Sequence, residues 1–419
     1  SNLEEDRIPL LFRLLPKELA AETFVEMEPD AQELLIRGFS DSELREVLDE
    51  LYVDDAVDIV EEMPANVVRR ILSQADPDMR KDINEILRYP ENSAGSIMTT
   101  EYVSLRPGMT VEEAILRIRR TGVDKETIYT CYVTKNRTLI GLVSVKDLLL
   151  AQDDDETVDK IMETNVISVH THTDQEEVAR MFSKYNFLAL PVVDTENRMV
   201  GIVTFDDAMD VMEDEATEDM EIMGGMTPSD KTYLRSSTFD LFKHRIPWLM
   251  LLMVSATFTG LIITHFESAL AAQVALTAFI PMLMDTGGNS GSQACVSIIR
   301  GISLNEIQFR DIGRVVWKEI RVSVLCGICL AVACFAKIVL VDMLLLKSES
   351  VTYMVAFVVC VTMAVTVCLA KMVGSTLPLL AKKLGFDPAV MASPIITTIV
   401  DFLSLLVYFA FATAMLGIG

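Results

Sequence analysis

Across residues 8–90, apolar positions return every three or four residues, in short bursts broken by Pro16, Pro29, Pro64 and Pro77. The stretch SDSELREVLDEL is typical: a helix-starting serine, Ser40 or Ser42, then apolar residues at helical spacing. The pattern predicts an α-helical superhelix of small hairpins over residues 1–92. From residue 97 the rhythm changes. Residues 97–152 and 161–212 each read strand, helix, strand, turn, strand, helix, and they are copies of one another. Met98 matches Met162, and GLVSVKD at Gly141 to Asp147 matches GIVTFDD at Gly201 to Asp207. These copies predict two α/β domains, residues 93–156 and 157–212. An acidic connecting helix is expected over 213–242. After residue 242 the polar positions thin out into five apolar runs, about 246–266, 269–299, 322–342, 351–380 and 390–418.

Each run supplies roughly the 20 residues that a spanning helix needs. The fold class expected is therefore a multidomain membrane protein whose residues 243–419 form an all-α domain of five transmembrane helices. Bases set its orientation. Lys231, Arg235, Lys243 and Arg245 precede the first run, Arg300, Arg310, Arg314, Lys318 and Arg321 follow the second, and Lys382 and Lys383 follow the fourth. The loops after the first and third runs carry only Glu267, and Lys347 with Glu349. By the positive-inside rule the N-terminal domains are cytoplasmic, the C-terminus lies outside, and the protein resides in the cell membrane. No signal peptide is visible, and the opening Ser1-Asn2 reads as the remnant of a cleaved tag.

Charge divides the chain in the same place. Residues 1–242 hold 52 acids and 24 bases, whereas residues 243–419 hold 9 acids and 12 bases. Such an acidic body repels nucleic acid and attracts cations. Of seven cysteines only Cys131 precedes the apolar half, so no disulfide framework is expected. The CxxC pair Cys326 and Cys329 lies inside an apolar run and reads as helix-packing or lipid-facing bulk.

Within the apolar half, Asp401 is the conspicuous residue. An acid at a bilayer centre costs at least about 2.5 kcal/mol and commonly faces a cavity or an ion path. Ser393, Thr397 and Asp401 are spaced by four, which places them on one helix face. They form a stripe of oxygen atoms suited to a hard cation. The second run contains PMLMDTGGNSGSQA. Gly287, Gly288 and Gly291 allow close helix approach or a local break in the helix. Asn289, Ser290, Ser292 and Gln293, with Asp285 before them, are too polar for lipid and are expected to line a cavity or a helix seam.

The internal repeat resembles a tandem pair of CBS domains. That resemblance implies dimerisation and an adenine-nucleotide cleft, with Ser144 and Asp147 or Thr204 and Asp207 at the ribose and Tyr129 or Phe187 at the base. The segment FDDAMDVMEDEATEDMEIMGG follows, and residues 206–221 hold nine acids and no base. Like charges four apart oppose a helix unless a cation neutralises them, so divalent-cation binding is expected here.

Taken in order, these parts resemble the MgtE family of magnesium channels and transporters. The most specific pieces are GGNSGSQA, GSTLPLL at 374–380, FDPAVMASPIITTIVD at 386–401 and EDEATEDM in the connector. The resemblance implies a homodimer in a lipid bilayer with its pore at the dimer axis, Asp401 as the pore acid binding hydrated Mg²⁺, and Thr397 and Ser393 lining the path. It implies a plug-like connecting helix and regulatory Mg²⁺ sites. Asp207, Asp210, Glu215, Glu218 and Asp219 fit the connector side, and Asp54, Asp55 and Asp58 fit the N-terminal side. ATP at the CBS pair is implied as a second ligand.

Two rival readings stand beside it. Asp285-Thr286-Gly287 spells the DTG of aspartic proteases, and Asp401 could complete a dyad, but the GxGD signature of intramembrane aspartyl proteases is missing. A CBS-regulated transporter of another divalent metal is the other; softer metals want thiol or imidazole ligands, and none of the four histidines sits with Asp401. No P-loop, HExxH or GxSxG motif is present, so an enzymatic role is not expected.

Overall fold

Ser40, not Ser42, starts its helix: its hydroxyl accepts from the Glu43 N–H while the Glu43 carboxylate accepts from the Ser40 N–H. This reciprocal cap is one detail of a computed structural model that describes residues 8–229, 233–234, 236–348 and 350–417. Lys231, Arg235, Glu349 and the side chain of Ser393 lie outside the described residues. The chain divides into two compact units, residues 1–215 and 216–419.

Among the described residues the first unit opens with seven short helices, as the proline punctuation predicts. They are α1 (Ile8–Phe12), α2 (Lys17–Val25), α3 (Pro29–Gly38), α4 (Asp41–Leu48), α5 (Val53–Glu62), α6 (Ala65–Gln74) and α7 (Pro77–Ile86). Pro29 and Pro77 sit in the first turn of α3 and α7, where the missing N–H costs nothing. Phe12, Phe24 and Phe39 pack ring to ring at the centre of the first four helices.

Two three-stranded sheets follow. One is built from β1 (Tyr102–Leu105), β2 (Thr127–Lys135) and β3 (Thr138–Ser144), with α8 (Val111–Thr121) and α9 (Val145–Leu150). After the single turn α10 (Val158–Ile161) comes the other, from β4 (Val169–His170), β5 (Ala189–Val193) and β6 (Met199–Thr204), with α11 (Gln175–Tyr185) and α12 (Phe205–Met223). In each sheet the first pair is parallel and the second antiparallel. The copies exchange their opening methionines. A Cβ on Gly201 would lie 2.8 Å from the sulfur of Met98, and one on Gly141 would lie 2.6 Å from that of Met162. Each glycine is the notch that admits the other copy's methionine. The helical domain also shares its core: Val53, Ala56 and Val57 of α5 and Ile83 and Ile86 of α7 pack with Met98, Phe182, Leu190 and Val203.

The connecting helix differs from its expected bounds. α12 runs unbroken through residue 212, so the boundary between the repeat and the connector falls inside one helix. It stops at Met223 instead of reaching 242, because Gly224 and Gly225 end it and Gly225 takes a left-handed φ of +72°.

The second unit contains α13 (Thr238–His265), α14 (Glu267–Ala272), α15 (Ile280–Ser303), α16 (Ile312–Lys337), α17 (Tyr353–Lys383) and α18 (Ser393–Leu416). Eight residues of π-helix, Ile338–Leu345, extend α16. Among the described residues, four helical stretches are long and apolar enough to cross a membrane: Thr238–His265, Phe309–Leu345, Tyr353–Lys383 and Pro388–Leu416. The expected second span is not among them. Its sequence breaks after residue 272 into a 3₁₀ turn at Val274–Phe279, and the 24-residue α15 that follows is too polar. At 1.5 Å per residue α15 is still about 36 Å long, and it is wedged between α17 and α18. Pro394 sits in the first turn of α18, where its missing N–H costs nothing.

Candidate functional site

In the first unit, the N-terminal ends of β1, β2, α5 and α12 converge, and each brings carboxylates. Glu101 and Glu126 immediately precede paired strands, and the Glu126 N–H donates to the Glu101 carbonyl at 3.1 Å. The Glu101 carboxylate in turn accepts from the Val53 N–H at 3.3 Å, so it caps α5 from outside. Asp54, Asp55 and Asp58 follow on α5, and Asp206 and Asp207 open α12. The Thr204 hydroxyl fixes Asp207 at 2.5 Å.

These groups repel one another. Burial, then the charges of Asp207, Glu126 and Asp55, holds Asp54 well above the usual carboxylate range. Burial and Asp206 push Asp55 up to about 6, and burial and Asp207 push Asp58 up to about 7. Asp207 itself is raised to about 6, chiefly by burial. Burial and the Asp206–Asp207 pair push Glu126 up to about 8, and its Oε2 is buried with no hydrogen-bond partner. Burial raises Asp210 as well, followed by Glu26 and Asp206. Among the described residues, no three His, Cys, Asp or Glu side chains converge tightly enough to hold a metal directly.

Of the acids expected to form a regulatory set, Asp54, Asp55, Asp58, Asp207 and Asp210 therefore share one electrostatic neighbourhood. Glu215 does not join them; it accepts from Gln175 Nε2 at 3.0 Å and acts on Glu176. Glu218 and Asp219 belong to the second unit. Glu101 and Glu126 were not anticipated from sequence. The signal that could have found them is an acid directly before each of two paired strands, in TTEYVSL and DKETIYT.

The expected nucleotide residues divide by copy. Ser144 and Asp147 cap α9 together, the hydroxyl donating to the carboxylate at 2.5 Å. Tyr129, exposed, adjoins them because its neighbour Thr130 pairs with Ser144. Phe187 belongs to the second copy and stacks on Tyr185, with ring centroids 5.3 Å apart.

In the second unit, α15 presents two faces. A Cβ on Gly287 would come within 2.7 Å of the Thr366 methyl on α17 and 2.9 Å of Ser404 Oγ on α18. One on Gly288 would meet Thr397 Cγ2 at 2.9 Å, and one on Gly291 would meet Ile396 Cγ2 at 2.7 Å. Gly374 of α17 rests directly on the backbone of Gly291. The glycines are thus packing notches. Asp285, Asn289 and Gln293, four residues apart, form the opposite, more exposed stripe, and Asn289 Nδ2 donates to Asp285 Oδ1 at 3.0 Å.

On α18, Asp401 is half-buried, and the charge acting on it is Asp285. One turn earlier the Thr397 hydroxyl donates to the Pro394 carbonyl at 3.0 Å. Below this, the end of the acidic helix reaches the start of α18. A Cβ on Gly225 would lie 2.9 Å from Pro394 Cγ, and Met223 packs with Cys295, Ile396 and Val400.

Comparison with known proteins separates the transporter reading from the protease one. The magnesium transporter MgtE of Thermus thermophilus is 39% identical over 412 residues, covering 97% of this chain and 89% of that protein. The chain belongs to the MgtE family. The MgtE family model, described as a divalent cation transporter, matches residues 280–411, the MgtE intracellular N domain matches 1–92, and CBS domains match 94–154 and 158–214. The MgtE of Bacillus subtilis is 34% identical over 392 residues, 93% of this chain and 84% of that protein. Among solved structures, the cytosolic domain of the Mg²⁺ channel MgtE in complex with ATP aligns at 42% identity. The match covers 50% of this chain and 86% of that one, with a TM-score of 0.48. Membership of the MgtE family makes an ion transporter the function class and leaves the DTG tripeptide as part of α15.

Proposed function

We propose that this protein is a magnesium-selective channel or transporter that admits Mg²⁺ through the cell membrane and is gated by cytosolic Mg²⁺. The observation that carries the reading is Asp401 in an apolar bundle beside the polar stripe of α15. Asp285, Asn289 and Gln293 are costly against lipid. A homodimer with its two-fold axis along this face covers the stripe and supplies Asp401 twice, enough charge for one dication. Mg²⁺ gives up water reluctantly and demands octahedral geometry. Asp401 therefore accepts hydrogen bonds from the ion's water shell, with Thr397 and Ser393 continuing the path. The site attracts without trapping, as conduction requires. Residues 1–215 lie in the cytoplasm, the C-terminus lies outside, and a negative interior drives inward flow by about 4.6 kcal/mol per 100 mV for a divalent ion.

The acid cluster of the first unit is the gate's sensor. Asp54, Asp55, Asp58, Glu126 and Asp207 repel one another, yet no three converge for direct ligation among the described residues. That arrangement suits a hydrated Mg²⁺ bridging carboxylates through water. High Mg²⁺ draws the acids together and favours the closed state; low Mg²⁺ leaves them unscreened and favours the open one. Glu215, Glu218 and Asp219 add charge along the remainder of α12. The turn at Gly225 against Pro394 carries the movement to the start of the pore helix. ATP fits the end of the first sheet, where Tyr129, Ser144 and Asp147 gather, with Phe187 as the aromatic of the other copy.

The test uses vesicles holding the full-length protein. Mg²⁺ uptake is expected to be saturable, to exceed uptake of a softer divalent ion such as Co²⁺, and to fall as Mg²⁺ on the face of the soluble unit rises. Uptake indifferent to that Mg²⁺ would overturn the sensor, and Co²⁺ uptake well above that of Mg²⁺ would overturn the selectivity.

A further inference from the structure

The segment that follows the acidic helix is held from three sides. Gly224 and Gly225 end α12, and the Met226 N–H then donates back to the Glu221 carbonyl at 2.9 Å. The Ser229 N–H donates to the Glu221 carboxylate, again at 2.9 Å. Gly225 lies against Pro394 in the first turn of α18. The remaining hold comes from α13. Thr227 and His244 exchange two hydrogen bonds: the Thr227 N–H donates to the His244 carbonyl at 2.9 Å, and His244 Nδ1 donates to the Thr227 carbonyl at 3.0 Å. A carbonyl only accepts, so this bond places a proton on Nδ1.

The clasp meets α13 where that helix is prone to bend. Pro247 lies inside the helix and has no N–H to give the Lys243 carbonyl four residues earlier, and a proline there kinks a helix. His244 is the next residue, and its carbonyl takes a donor from outside the helix. One main-chain bond alone would let residue 227 swivel. The ring supplies a second bond to the other polar group of the same residue, so the segment and the start of α13 move as one. α13 in turn packs against α18, whose first turn meets Gly225.

We propose that His244 is the positioning residue that couples the last turn of α12 to the membrane helices. The proposal rests on the reading of α12 as part of the Mg²⁺ gate. A shift of the last turn of α12 presses Gly225 on Pro394 and, through the clasp, draws the start of α13 the same way. Without the ring donor the hold on α13 drops to a single main-chain bond, and Mg²⁺ bound by the acids closes the pore less completely.

The experiment measures Mg²⁺ uptake into vesicles holding the full-length protein while Mg²⁺ on the face of the soluble unit is varied. His244→Phe removes the donor and keeps a ring. It should raise the Mg²⁺ concentration for half-inhibition about fivefold or more, with uptake at the lowest Mg²⁺ unchanged. His244→Asn, whose amide nitrogen stands where Nδ1 stood, should restore the wild-type value; His244→Gln, whose amide reaches the Nε2 position, should not. Thr227→Ala keeps both main-chain groups and should match wild type. A His244→Phe protein inhibited at the wild-type concentration, or one value shared by the Asn, Gln and Phe variants, would overturn the coupling. So would a uniform fall in uptake at every Mg²⁺ concentration, which marks a merely structural brace. Wild-type uptake that ignores Mg²⁺ would instead overturn the gate itself, and the coupling with it.

Discussion

Asp285 on α15 is the charge that acts on Asp401 of α18, and the two acids sit on neighbouring helices of the bundle. Asn289 holds Asp285 from one turn below. Asp285 therefore adds negative potential beside Asp401 without being its ion-pair partner. Replacing Asp285 by Asn should weaken Mg²⁺ flux several-fold and raise the Mg²⁺ concentration needed for half-maximal flux, while leaving the fold intact. Concentration dependence of flux in vesicles checks it; unchanged half-saturation would remove Asp285 from the ion path.

The acid cluster sets a pH dependence whose sign is fixed. Asp55, Asp58 and Glu126 are raised to about 6, 7 and 8, above their unfolded values near 4. The folded state thus binds more protons than the unfolded one. Its stability is fullest below about pH 4 for these groups and is lost as pH rises through 6 to 8. Hydrogen exchange of α5 and the first turns of α12, in Mg²⁺-free buffer, should quicken from pH 6 to 8 after correction for intrinsic rates. Saturating Mg²⁺ should flatten that trend.

Glu126 gives a sharper test, since one of its oxygens is buried without a partner. Glu126→Gln removes the charge and keeps the shape. It should stabilise the Mg²⁺-free soluble unit at pH 8 by about 1 kcal/mol, after allowing for partial exposure to solvent, and should weaken the response to Mg²⁺. Thermal unfolding with and without Mg²⁺ measures both effects.

Gly374 admits no side chain, because a methyl there would strike the backbone of Gly291. Gly374→Ala should destabilise the membrane unit by about 1–3 kcal/mol. At Gly313 a methyl would meet nothing within 4 Å, so its alanine variant is the control and should be neutral or slightly stabilising. Detergent-resistance melting of the two variants discriminates between them.

The parts legible in sequence were those with a period. Short helices punctuated by proline, the duplicated strand–helix pattern and the long apolar runs all repeat at a spacing that backbone geometry dictates. What did not repeat was missed. The sequence predicts an apolar span where α15 stands, but its register alternates glycine notches with a polar stripe, and only packing against α17 and α18 separates the two. The connector is expected to begin at 213, yet nothing in its sequence interrupts helix until Gly224. Asp207 and Asp210 fall on an acidic face as their spacing predicts, but Glu126, on which Asp206 and Asp207 act, lies about 80 residues away in sequence, and strand pairing sets Glu101 beside it. Long-range juxtaposition of this kind leaves no local periodicity to read.

The most direct measurement is Mg²⁺ flux into vesicles with a negative interior, comparing the full-length protein with Asp401→Asn, which keeps the side chain's shape and removes its charge. The expected result is a fall of at least tenfold, with dimer content and circular dichroism unchanged. Flux at the wild-type rate through Asp401→Asn would contradict a pore built on that carboxylate.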